Sequence, residues 1–203
     1  MLTIGFVAIT VVVSYMSFNN PALNAQLCHH PYREAQHGEY YRMLTGGFVH
    51  GSWEHLLINM YVLYQFGSIV ENLLTDIYGD VMGRLIYFIF YISAVIVSDI
   101  GTFIEHRENP GFRSVGASGV TTGLVFIYAI FSPWQMFLFP PVPAIVFAVL
   151  YVFWSQWAST NRSDNIDHLA HLFGGIYGVA FIILVYPKTL SIFWERLLQN
   201  APF

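Results

Sequence analysis

Gly116-Ala117-Ser118-Gly119 and Ala170-His171-Leu172-Phe173-Gly174-Gly175-Ile176-Tyr177-Gly178 are the stretches whose reading decides this chain. The first opens one apolar run and the second lies inside another, so a hydroxyl and an imidazole stand where lipid would leave them unpaired. Ionisable groups inside membrane spans are functional candidates by default. The glycines around them repeat at intervals of four, Gly119 with Gly123 and Gly174 with Gly178, and small residues at that spacing let helices touch. His171 lies one turn before Gly174 on the same face. If the two strips meet, Ser118 reaches His171 across the chain, and a serine bonded to a histidine is a nucleophile with its base. Glycine strips also pack membrane helices without any chemistry; the serine and histidine at matching ends favour the reactive pair.

Composition supports the membrane setting. Of 203 residues 56% are hydrophobic and only 10% charged, against roughly 25% charged in soluble domains. The mean hydropathy is +0.55. The net charge of −4 arises from 12 acids against 8 bases, with no Lys/Arg run of the kind that binds nucleic acid. Cys28 is the only cysteine, so no intramolecular disulfide forms. Cys28, His29, His30 and His37 cluster within a Pro-containing stretch read as an irregular loop, and neither a metal nor another cofactor is expected.

Apolar runs of about 17–25 residues mark membrane-spanning helices. Six are expected, over about 2–18, 52–74, 84–104, 117–131, 144–157 and 167–186, forming one all-α polytopic membrane domain over 1–203. A long polar and aromatic loop joins the first two, a polar turn over 159–164 joins the last two, and Trp194 and Arg196 suit an interfacial tail. Arg33, Arg42, Arg107, Arg113 and Arg162 fall on one side, with Arg84, Lys188 and Arg196 on the other. That count weakly opposes cytoplasmic termini.

Further polar residues fall at the same depth. Ser118 heads its helix, where free N–H groups and the dipole favour developing negative charge. His55 and Asn59 share a face of the second span at i and i+4; they are either donors to an oxyanion or a polar pair joining helices. His50 caps or pairs with loop groups. Asp167, one turn before His171, is read as a helix-start carboxylate rather than a third catalytic member. Glu71 is read as a loop anchor or a snorkelling side chain rather than a catalytic one, His168 as a residue at the water boundary, and Asp99 has no partner named by the sequence. Phe147, Tyr151, Phe153, Trp154 and Trp157 are read as lipid-facing or packed bulk.

Taken together, these motifs resemble the rhomboid family of intramembrane serine proteases, and specifically its bacterial six-helix GlpG type. Gly116-Ala117-Ser118-Gly119 looks like the family's GxSG motif, and Ala170-His171 with Gly174 and Gly178 resembles AHxxGxxxG. His50, His55 and Asn59 match HxxxxHxxxN, and Tyr41-Arg42 stands where the family carries Trp-Arg. The likeness runs from about Tyr41 to Gly178. It implies a helical bundle in a bacterial inner membrane with both termini cytoplasmic, and hydrolysis of transmembrane substrates in contact with lipid. It further implies Ser118 as nucleophile, His171 as base, and His55, Asn59 and the Ser118 N–H as the oxyanion hole. Gly116, Gly119, Gly174, Gly178 and His50 would support them. One departure stands out: Thr122, four residues after Ser118, replaces a tyrosine that stacks on the catalytic histidine in related bacterial members.

Overall fold

The computed structural model describes residues 1–138, 140–161 and 166–199. Among the described residues the regular elements are all helices, with two isolated β-bridges, His29 with Ser114 and Met136 with Pro143, in the connections. Helix α1 covers Leu2–Phe18 and is followed by three short helices, α2 Pro21–Leu27, α3 Pro31–His37 and α4 Tyr41–Thr45. The next pass is one continuous helical path: α5 Trp53–Val62, a π-helical turn Leu63–Gly67, then α6 Ser68–Tyr78. Beyond them lie α7 Asp80–His106, α8 Ser118–Phe131, α9 Ala144–Asn161, α10 His168–Val185 and α11 Thr189–Gln199. Helices α7 and α10 are long and apolar enough to cross a membrane, and α1 and α8 are shorter apolar helices.

Helix α1 shows the logic of an apolar solvent. Its buried face carries Thr3, Phe6, Thr10, Ser14 and Ser17, while Ile4, Ile9, Val12 and Met16 face outward. A helix in water would reverse that arrangement. The outer surface elsewhere is equally greasy, with Leu57 and Ile58 64% and 65% exposed, Phe153 71% and Leu184 81%. So extensive an apolar surface on one molecule marks contact with lipid or a partner. The start of α1 is held by Glu71, whose carboxylate accepts from Leu2 N (2.7 Å), Thr3 N (2.9 Å) and Thr3 Oγ1 (2.7 Å). Those N–H groups have no partner within the helix, and the carboxylate also complements the positive dipole end. Glu71 thus anchors a helix rather than a loop.

Helix α8 occupies the centre. Every residue from Gly119 to Val125 is buried, as are most of those that follow. Helix α10 packs chiefly against α8 and α7, and the glycine strips explain how closely. A Cβ on Gly178 would lie 2.5 Å from Gly123 O, and one on Gly123 would lie 2.8 Å from Gly174 O. A Cβ on Gly174 would collide with Gly119 O. Backbone therefore rests on backbone, which only glycine permits.

Two regions depart from expectation. The segment read as an irregular loop holds α2, α3 and α4. Pro21 and Pro31 each stand in a first helical turn, and Asn20 Oδ1 caps α2 by accepting from Leu23 N at 3.1 Å. Arg42, only 1% exposed, ties these pieces together by donating to Ala25 O (2.9 Å), Cys28 O (3.2 Å) and Glu39 Oε2 (2.5 Å). The tail is also helical. Trp194 is exposed, as an interfacial anchor would be, while Arg196 donates to Phe131 O and docks α11 against the end of α8. Of the polar turn expected over 159–164, residues 159–161 continue α9 and residues 162–165, Arg162 included, lie outside the described residues.

Candidate active site

Ser118 is the first residue of α8 and is half-buried. Gly116 makes the turn into it with φ of +124°, a left-handed conformation that glycine alone adopts freely. Space imposes the same choice, because a Cβ there would lie 2.6 Å from His55 Cε1. The His55 ring therefore lies flush against the backbone that presents the serine. The Gly116 N–H donates to Gly46 O at 3.0 Å, tying the turn to the segment before α5.

His50, fully buried, braces this turn from beneath. The Ala117 N–H donates to its Nε2 at 3.4 Å, so its hydrogen sits on Nδ1, 2.9 Å from Ser14 Oγ. Ser14 Oγ passes a hydrogen to Phe48 O at 3.0 Å. One chain of bonds thus links α1, the segment before α5 and the N-terminus of α8. The ring of His55 meets that of His50 edge-on, with centroids 4.9 Å apart.

His55 and Asn59 lie on the same face of α5. The Asn59 side chain is buried; its Nδ2 donates to His55 O at 3.0 Å, and its Oδ1 accepts from Thr121 Oγ1 at 3.3 Å. It joins α5 to α8, and the second hydrogen on Nδ2 is left over from these bonds. Thr121 shares its one hydroxyl hydrogen between Asn59 Oδ1 and the Ser118 carbonyl, 3.0 Å away, and Thr122 turns its hydroxyl to the same carbonyl at 2.8 Å.

His171 stands in the first turn of α10, half-buried. The glycine contacts bring α10 against α8 just below it, with Ala170 O near Gly119. Among the described residues no hydrogen bond joins Ser118 Oγ to His171; catalytic hydrogen bonds are often long before substrate arrives. The bond His171 does make is to Tyr151 on α9, with Oη 2.7 Å from Nδ1. The rings are nearly parallel, 29° apart, with centroids 6.0 Å apart. The sequence reading counted Tyr151 among the bulk of α9 and missed this role. The available signal was a lone aromatic hydroxyl in a run of Phe and Trp. A ring does pair with His171, although Thr122 cannot supply it.

The neighbouring acids have other employment. Asp167 Oδ1 caps α10 by accepting from Ala170 N (2.9 Å) and also accepts from Thr102 Oγ1 (2.6 Å). Asp99 finds the partner the sequence left unnamed: His29 Nδ1, 3.7 Å away, which also meets Glu34 Oε1 at 2.7 Å. Burial presses the His29 imidazolium towards neutrality, but Asp99 and the Glu34 hydrogen bond outweigh it and raise the pKa above its ordinary value. His29, Asp99, Asp167 and Ser118 line one small cavity beside Gly116. His168 is buried edge-on beneath Trp154, at a centroid separation of 4.8 Å.

Fold and site together define a polytopic helical membrane protein with a serine at the head of a buried helix and a histidine on the helix pressed against it. The rhomboid-domain family matches residues 37–188, well over half of the chain. The chain belongs to the rhomboid family. It is 31% identical over 164 residues to the rhomboid protease GluP of Bacillus subtilis, covering 80% of this chain and 29% of that one. A second Bacillus subtilis relative, YdcA, whose name places it among the rhomboid proteases, is 28% identical over 137 residues, covering 68% of this chain and 63% of its own. Rhomboid-like protein 11 of Arabidopsis thaliana chloroplasts is 27% identical over 158 residues, covering 72% of this chain and 52% of its own. The matched region therefore spans between 29% and 63% of these relatives' lengths.

Proposed function

We propose that the chain is an intramembrane serine endopeptidase that cuts transmembrane protein substrates with Ser118 and His171. One observation carries the reading: Ser118 begins a buried helix whose backbone is in contact with the helix that bears His171. Helix α8 has 14 residues, or about 21 Å at 1.5 Å per residue, short of the ~30 Å hydrocarbon layer. With its tail at one membrane surface, its head lies below the other, where polar groups must line a cavity or pack within protein.

The chemistry follows from the roles. His171 Nε2 takes the Ser118 proton as Oγ attacks the scissile carbonyl carbon. The oxyanion forms near the Ser118 N–H, the His55 ring and the spare Asn59 hydrogen, donors fixed by Gly116, His50 and Thr121. Collapse breaks the C–N bond, and His171 returns the proton to the leaving amine. Water then attacks the acyl-enzyme with His171 again as base. A helical substrate satisfies its own backbone bonds, so its scissile carbonyl is reached only where a turn unwinds. Segments with Gly, Pro or β-branched residues meet that need at least cost. In this reading the protein crosses a bacterial inner membrane six times, with both termini cytoplasmic.

A second reading, a rhomboid-like protein that holds membrane clients without cutting them, draws on the missing Ser118–His171 bond. A serine-reactive fluorophosphonate separates the two. The peptidase reading expects labelling of the purified protein that disappears in Ser118→Ala; absence of labelling in the folded wild type would favour the client-holding protein.

A further inference from the structure

The hydrogen-bond partner of the dyad histidine is an aromatic hydroxyl from a third helix. Tyr151 Oη lies 2.7 Å from His171 Nδ1. The phenol is fixed in place by Phe147, stacked at 5.3 Å, Trp154 at 5.6 Å and the edge of Phe126 at 6.2 Å.

A histidine that takes the Ser118 proton must present a bare Nε2. Its single hydrogen is then on Nδ1, and a bare Nδ1 facing a phenol would instead accept from it and leave Nε2 protonated. The direction of the Tyr151 bond therefore decides whether His171 can act as base. We propose that Tyr151 is the positioning residue of the dyad: its Oη, 2.7 Å from Nδ1, accepts the Nδ1–H and holds His171 in the tautomer with an unprotonated Nε2. The aromatic partner of the histidine thus comes from α9.

The inference rests on the peptidase reading for its consequence, but the tautomer can be measured without any substrate. Nitrogen NMR of ¹⁵N-histidine-labelled protein in detergent, with His171 assigned by its loss in His171→Ala, should show a protonated Nδ1 and bare Nε2 near neutral pH. Tyr151→Phe keeps the ring and removes the oxygen. It should move the ring towards the Nε2-protonated form and lower kcat by roughly 10- to 100-fold, the range seen when the partner orienting a metal-bound imidazole is removed. That is well short of the ~10⁴ seen when a triad histidine is held in the wrong tautomer. KM should stay within about two-fold, which a general loss of packing would not preserve. An Nε2-protonated His171 in the wild type would overturn the proposal, as would an unchanged kcat and tautomer in Tyr151→Phe. Should Tyr151→Phe fail to fold, the wild-type tautomer decides alone. Cleavage persisting in Ser118→Ala would instead remove the peptidase reading itself, whatever the tautomer.

Discussion

Replacing Gly178 by alanine tests the contact on which the site depends. The added Cβ would lie 2.5 Å from Gly123 O and 2.7 Å from Gly123 Cα, where ordinary contact begins near 3.4 Å. Every atom it meets belongs to the α8 backbone, so no side chain can swing aside. The helices must part by about 1 Å. Overpacking against a backbone that cannot yield costs the upper part of the usual range, about 2–3 kcal/mol, and alanine returns ~1 kcal/mol of helix propensity. A net loss of about 1–2 kcal/mol lowers Tm by roughly 2–8 °C for a chain of this size. Activity should suffer more than stability, because a 1 Å misplacement of reacting groups can cost ~10²-fold. Thermal unfolding in detergent, and cleavage of a fused transmembrane substrate in liposomes, read the two effects separately. Gly5→Ala is the control: it has nothing within 4 Å, so it should leave activity intact and Tm equal or slightly raised. Wild-type Tm and activity in Gly178→Ala would refute the backbone contact between α8 and α10.

Three further outcomes follow from the geometry. His55→Ala and Asn59→Ala should each lower kcat by roughly 10²–10³ if each removes an oxyanion donor; wild-type kcat in the double variant would reduce the pair to helix joinery. Glu71→Ala strands buried donors at the start of α1, an expected loss of about 2–3 kcal/mol, and an unchanged Tm would contradict the cap. His29 has a raised pKa in the folded protein, so its stabilising charge is fully present below the unfolded value of about 6.5 and lost as pH rises through the folded value. Tm should therefore fall as pH rises past neutrality, and His29→Gln should flatten that slope; a wild-type Tm independent of pH over this range would argue against a charged His29 beside Asp99 and Glu34.

The parts legible in the sequence are those with periodic or motif-bound signals. Glycines at intervals of four announced the α8–α10 contact, and His55, singled out by its spacing, does lie against Gly116 beside the head of α8. Tyr151 stayed hidden because its partner is 20 residues away on another helix and its own helix is uniformly aromatic. The short helices after α1 were missed for a related reason. Helices of five to seven residues carry too little periodicity to detect, and buried Arg42 of α4 holds the end of α2 by collecting the carbonyls of Ala25 and Cys28. Asp99 could not be interpreted from its own span, since what balances it is His29, contributed by the segment between α2 and α3.

The central claim is that Ser118 and His171 act as one catalytic unit inside the membrane. The most direct measurement is cleavage of a single-span substrate by the purified protein in liposomes, comparing wild type, Ser118→Ala, His171→Ala and the double variant. Circular dichroism and Tm should first establish that all four are folded. The account predicts cleavage by wild type alone, with the double variant no worse than either single one, because residues acting as a unit are not additive. Activity within tenfold of wild type in a folded single variant would contradict it.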